Sequence, residues 1–124
     1  MTVSRFLFVA ALAASSSIAS AQSVNVTLTE WKVVLSRDTV SAGPVTFRLT
    51  NGGVMTHAFY IRGPGVAKGA KEIPTKQSGA LTVTLRPGTY EVYCPMSDMS
   101  HKQAGMSHQL VVIAAPSTPE TKKP

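Results

Sequence analysis

Within thirteen residues, Cys94 to Met106, the chain places a thiol, an imidazole and three thioethers: Cys94, His101, Met96, Met99 and Met106. This stretch holds the single cysteine and three of the five methionines. Soft sulfur donors select copper or zinc over hard cations, and a thiolate and imidazoles completed by a weak thioether suit one-electron copper chemistry. Such a donor set needs a second imidazole from elsewhere. His57 follows the turn-forming Asn51-Gly52-Gly53 and opens an extended run, so it can supply that ligand from a remote strand. A rigid β framework then sets the distance between it and the loop. His108, two residues past Met106, reads instead as a rim residue outside the donor set.

The flanking elements have the two-residue period of half-buried strands. Val24, Val26 and Leu28 alternate with polar residues, and Trp31, Val33 and Leu35 extend the pattern. Val45, Phe47 and Leu49 form a second run, His57 to Arg62 a third, and Leu81, Val83 and Leu85 a fourth. Arg86-Pro87-Gly88 is a tight turn, after which Tyr90, Val92 and Cys94 share one face. Leu110 to Ile113 closes the series. Trp31 and Tyr90 are assigned to the core. Ser36 to Pro44 reads as turns, and Gly63 to Gly79 as a long surface loop with one helical turn near Ala67 to Glu72. Short strands punctuated by turns predict an all-β, antiparallel sandwich in one domain.

The ends differ from this body. Arg5, the apolar run Phe6 to Ala14 and Ala19-Ser20-Ala21 have the three parts of a cleavable secretory signal, placing the leader at 1–21 and the folded domain at 22–115. The apolar run is shorter than the roughly 20 residues a membrane span requires. Residues 116–124, with three prolines and two lysines, read as a disordered tail. Export to the periplasm or beyond is therefore expected, and a lone cysteine in an oxidising compartment has no internal disulfide partner.

The chain carries twelve basic and six acidic residues, a formal charge of +6, and only Arg5 of the basic residues falls in the leader. No basic cluster interleaved with aromatics is present, which argues against nucleic acid as a partner. The positive balance favours an acidic partner surface.

The order His57, Cys94, six residues, His101, four residues, Met106 resembles the cupredoxins, the small blue-copper proteins. The likeness runs from about Val24 to Ile113 and rests on Tyr93-Cys94, on His101 with Gln103-Ala104-Gly105-Met106, and on the Gly-rich turn before His57. It implies a Greek-key β-sandwich of about seven to eight strands. It also implies one type 1 copper ion held by His57, Cys94 and His101, with Met106 as the long axial ligand. The chain departs from the family's common pattern in three places. Six residues separate Cys94 from His101, Ala58 stands where Asn commonly follows the first histidine, and Pro95 follows the cysteine. Met96 and Met99 are alternatives to Met106. The bracing hydrogen bond that Asn would give at Ala58 is expected from Asn51 or a backbone amide.

The function so implied is one-electron transport between protein partners such as a cytochrome or an oxidase. His101 would be the more exposed ligand, inside an apolar docking patch of methionines. The protein would be a monomer without enzymatic activity. The alternative is a copper-trafficking or storage protein that takes Cu(I) through its methionines.

Overall fold

A computed structural model describes residues 21–116. The expected leader up to residue 20 and the tail beyond residue 116 lie outside the described residues. Among the described residues, nine strands form two facing sheets, and one helical turn lies in a connection between strands. β1 (Gln22–Thr29), β2 (Lys32–Leu35), β4 (Gly43–Asn51) and β7 (Ser78–Leu85) make a four-stranded sheet in the order β2-β1-β4-β7. β3 (Thr39–Ser41), β5 (Tyr60–Gly63), β6 (Val66–Gly69), β8 (Gly88–Tyr93) and β9 (Ser107–Ile113) make the second, in the order β3-β9-β8-β5-β6.

The alternation becomes one buried face per strand. Val24, Val26 and Leu28 of β1 point inward beside Val45, Phe47 and Leu49 of β4, while the intervening residues are mostly exposed. Fully burying a side chain of this size contributes about 1.5–3 kcal/mol. Across the core, Phe47 meets Phe59 with ring centroids 5.1 Å apart. Tyr90 is buried as expected and still satisfies its hydroxyl, which donates to the Arg86 carbonyl at 2.8 Å. This tether across the Arg86-Pro87-Gly88 turn is a feature of β-sandwich corners.

Several local expectations are corrected. The sandwich is mixed rather than antiparallel, because β1 runs parallel to β4 and β3 parallel to β9. Thr39–Ser41, inside the stretch read as turns, pairs with the end of β9. Val66–Gly69, inside the stretch read as a loop, is an edge strand hydrogen-bonded to β5, and no helical turn forms there. The strand expected from His57 begins only at Tyr60. His57 itself makes an isolated bridge with Ile73, through His57 N to Ile73 O at 3.1 Å and Ile73 N to His57 O at 2.8 Å.

Trp31 is also corrected. It lies in the two-residue turn between β1 and β2 and is 51 % exposed, with φ at 64°. Its apparent phase with Val33 and Leu35 crosses a chain reversal, so the shared parity does not mean a shared face.

Candidate metal centre

Three connections converge at one end of the sandwich. The β4–β5 segment carries His57, the end of β8 delivers Cys94, the β8–β9 segment carries His101 and Met106, and the β1–β2 turn carries Glu30 and Trp31. His57, Cys94 and His101 offer one donor atom each, and these atoms lie within 4.8 Å of one another. Cys94 Sγ is 3.7 Å from His101 Nδ1. Two donors about 2.0–2.3 Å from one metal ion span such a distance. The sequence-predicted trio is thus brought together in space.

All three residues are buried. His101 was expected to be the partly exposed one, yet it is only 3 % exposed. The Trp31 ring meets it edge-on, and the His57 ring lies against it at a centroid distance of 5.3 Å. Among the described residues, His57 Nδ1 has no hydrogen-bond partner. A buried ring nitrogen without a partner is costly in an apolar interior, and ligation would satisfy it. The donor chemistry, thiolate with two imidazoles, matches copper as well as zinc.

Met106 is fully buried and tied to both neighbouring ligands through the backbone. Cys94 N–H donates to the Met106 carbonyl at 3.1 Å, and Met106 N–H donates to the His101 carbonyl at 3.0 Å. Met96 and Met99 are half-buried, with Met96 packed against the core. His108 sits within β9 opposite Val92, outside the cluster.

The six residues between Cys94 and His101 form a compact coil. Ser97, Asp98 and Met99 have φ values of 53°, 51° and 71°. Left-handed backbone at residues with a Cβ costs roughly 1–2 kcal/mol each. The coil is held by Met99 N–H to Pro95 O at 3.2 Å and Ser100 N–H to Ser97 O at 3.0 Å. It then enters the helical turn α1 (Ser100–Gln103), on which His101 faces inward. Lys102, beside it, reaches Glu91 at 2.6 Å and lies 4.6 Å from the centre of the Tyr93 ring. These contacts fasten the ligand loop to β8.

Support around the trio comes from residues of both expected and unexpected kinds. Ala58 N–H points at Cys94 Sγ from 3.4 Å, a backbone amide in place of the missing side chain. Pro95, on the other side of the cysteine, has no N–H to offer. Asn51 is fully buried and braces the β4–β5 segment, as expected. Its Nδ2 donates to the carbonyls of Met55 and Ile73, both at 2.8 Å, and its Oδ1 accepts from Gly53 N–H at 2.9 Å.

Glu30 is the participant that sequence reasoning missed. Its Oε1 is 3.1 Å from His57 Nε2 and accepts the amides of Val54 at 2.8 Å and Met55 at 3.0 Å. Partial burial opposes its ionisation, but the amides of Glu30 itself, Met55 and Val54, with His57, outweigh that and hold the carboxyl down at about 2. Its partners lie 24 to 27 positions away, so nothing near it in the chain signals the role.

A two-sheet sandwich with a buried His–Cys–His cluster at one end defines a class, the β-sandwich scaffolds whose donor set suits a soft metal ion. The sequence matches the family model of the cupredoxin-like domain over residues 3–106, and the chain belongs to that family. Cupredoxins are in general copper-binding electron-transfer modules.

No curated protein matches the chain. Among solved structures it is similar to a dithionite-reduced auracyanin from the photosynthetic bacterium Roseiflexus castenholzii. That likeness has 17 % identity and a TM-score of 0.58, covering 77 % of this chain and 97 % of that one. It is also similar to a multicopper oxidase, with 16 % identity and a TM-score of 0.61 over 76 % of this chain. The blue copper oxidase from Nitrosomonas europaea gives 15 % identity and a TM-score of 0.61 over 81 % of this chain. The chain spans only 42 % and 41 % of those two oxidases.

Proposed function

We propose that this protein is a one-electron carrier in which His57, Cys94 and His101, with Met106 as a fourth, weaker donor, would hold a single type 1 copper ion. The observation that carries the proposal is the convergence of two imidazoles and the only thiol in one buried cluster. When bound, copper supplies a one-electron redox couple. The chain's own residues hold its ligands in fixed positions: Ala58 N–H contacts the thiolate sulfur, the β4–β5 segment is braced by Asn51, and the β8–β9 loop is fastened by Lys102. Framework rigidity keeps rearrangement small between the two oxidation states. Burial of every ligand favours electron exchange across the protein surface over binding of a substrate at the metal.

A docking surface lies over the same end. Trp31, Val54 and Met55 are exposed apolar residues joined through Glu30, whose carboxylate binds the Val54 and Met55 amides. Of the ligand-loop methionines expected to form such a patch, Met106 is fully buried and Met96 and Met99 are half-buried. Lys32 is exposed beside Trp31, and Lys76 donates to the Gly52 carbonyl at the same rim. The redox partner is accordingly one with an apolar centre and an acidic margin, such as a cytochrome or an oxidase domain. The leader-like segment supports a periplasmic or secreted location.

Stoichiometric Cu(II) loading tests the reading. An intense visible thiolate-to-copper charge-transfer band is expected, and it should vanish in Cys94→Ser while the sandwich remains folded by circular dichroism. A wild-type protein that stays colourless with Cu(II) but retains Cu(I) would indicate trafficking or storage instead.

A further inference from the structure

We infer that Glu30 is a positioning residue for the metal centre, setting the tautomer and orientation of His57 and lowering the reduction potential of the bound copper. The inference rests on the copper reading above.

A neutral imidazole carries its proton on one nitrogen and presents the other as an acceptor or ligand. His57 is fully buried, so its ring nitrogens cannot turn to solvent for partners. The Glu30 carboxylate faces Nε2 at 3.1 Å, and an acceptor-only group there requires Nε2 to be the protonated nitrogen. Nδ1 is then the nitrogen left for ligation, and it is the one with no partner among the described residues. The arrangement is a carboxylate–histidine–metal relay, in which the outer carboxylate fixes the ring and raises the ligand's basicity.

The carboxylate is itself held in place. Oε1 receives the Val54 and Met55 amides as well as the ring, so rotation of the side chain would break three contacts at once. Gly53 lines the cradle, and a Cβ there would collide with the Glu30 carboxylate. The side chain is 26 % exposed, which leaves its charge only partly screened by water. A fixed negative charge behind a metal ligand favours the more positive oxidation state. Glu30 therefore stabilises Cu(II) over Cu(I).

Glu30→Gln tests this because it keeps the shape and an acceptor oxygen while removing the charge. Its copper-loaded form should retain the visible band. Cu(II) affinity should fall about tenfold relative to Cu(I), an upward potential shift of about 59 mV for one electron. Nitrogen-15 NMR of metal-free wild-type protein at neutral pH should show His57 protonated at Nε2. Glu30→Ala, which removes the acceptor, should lose that tautomer preference. An unchanged potential in Glu30→Gln, or an Nδ1-protonated His57 in the wild type, would overturn the inference. If the wild type takes no copper, the copper reading fails, and the metal-free NMR measurement still decides the part played by Glu30.

Discussion

The Trp31 ring meets the His101 imidazole edge-on, with centroids 5.7 Å apart and planes at 76°. Gly105 makes room for this approach, since a Cβ there would come within 2.8 Å of the Trp31 carbonyl. Trp31 is the only tryptophan, so its emission reports on the site alone. Stoichiometric Cu(II) should quench that fluorescence strongly in the wild type. The same addition should leave Cys94→Ser mostly bright.

Met106 should govern the potential, whereas Met96 and Met99 should not. Only Met106 is fully buried and joined by backbone hydrogen bonds to both the Cys94 and His101 positions. Replacing it by leucine conserves volume and should cost less than about 1.5 kcal/mol of stability. The potential should rise, because a donor to Cu(II) is lost while the coloured thiolate bond remains. Cyclic voltammetry of Met106→Leu, Met96→Leu and Met99→Leu separates the three. A larger shift in either of the latter two would reassign the fourth donor.

His57, Cys94 and His101 were legible because two uncommon residue types, three histidines and one cysteine in the whole chain, fall in an order that resembles the cupredoxins. The strands were legible where alternation ran uninterrupted, as in Val45, Phe47 and Leu49. Trp31 was misplaced because the reversal at Glu30-Trp31 contains no glycine, proline or asparagine, and a non-glycine residue takes the positive φ. β6 was missed because its alanine, lysine and glycine are weak strand formers by composition, and its pairing with β5 is what makes it a strand. The parallel partnership of β1 with β4 is a long-range fact that local periodicity does not carry.

Asn51 should matter to folding and to the site together. Asn51→Ala leaves the Gly53 amide and the Met55 carbonyl without this partner and removes one bond to Ile73. Each buried group stranded in this way costs about 1–3 kcal/mol. Urea denaturation of metal-free protein should show a loss of at least that size. Faster amide exchange is expected at His57 and Ala58, and an unchanged midpoint would contradict the bracing role.

Glu91 should couple stability to acid. Its hydrogen bond to Lys102 is the largest influence; burial opposes ionisation, and the charges of Lys102 and Arg62 with the Ser107 hydroxyl hold the folded pKa below its ordinary 4.5. A carboxyl lowered on folding contributes stability above its unfolded pKa, and that contribution disappears as pH falls through the folded value. Thermal melts of metal-free wild type and Glu91→Gln should therefore differ at neutral pH, with the wild type higher. The gap should close as pH drops below 4.5. A gap that stays constant through that range would rule out the ionised pair as its source.

The left-handed turn at Ser97, Asp98 and Met99 winds up chain that would otherwise separate Cys94 from His101. Contour length and ligand spacing are thereby uncoupled, as slack coiled beside a taut line leaves the line's anchors where they were. The metal-facing wall can stay constant while this coil is lengthened, shortened or recomposed. It is the part of the molecule where a lineage could alter what approaches the centre without rebuilding the centre itself.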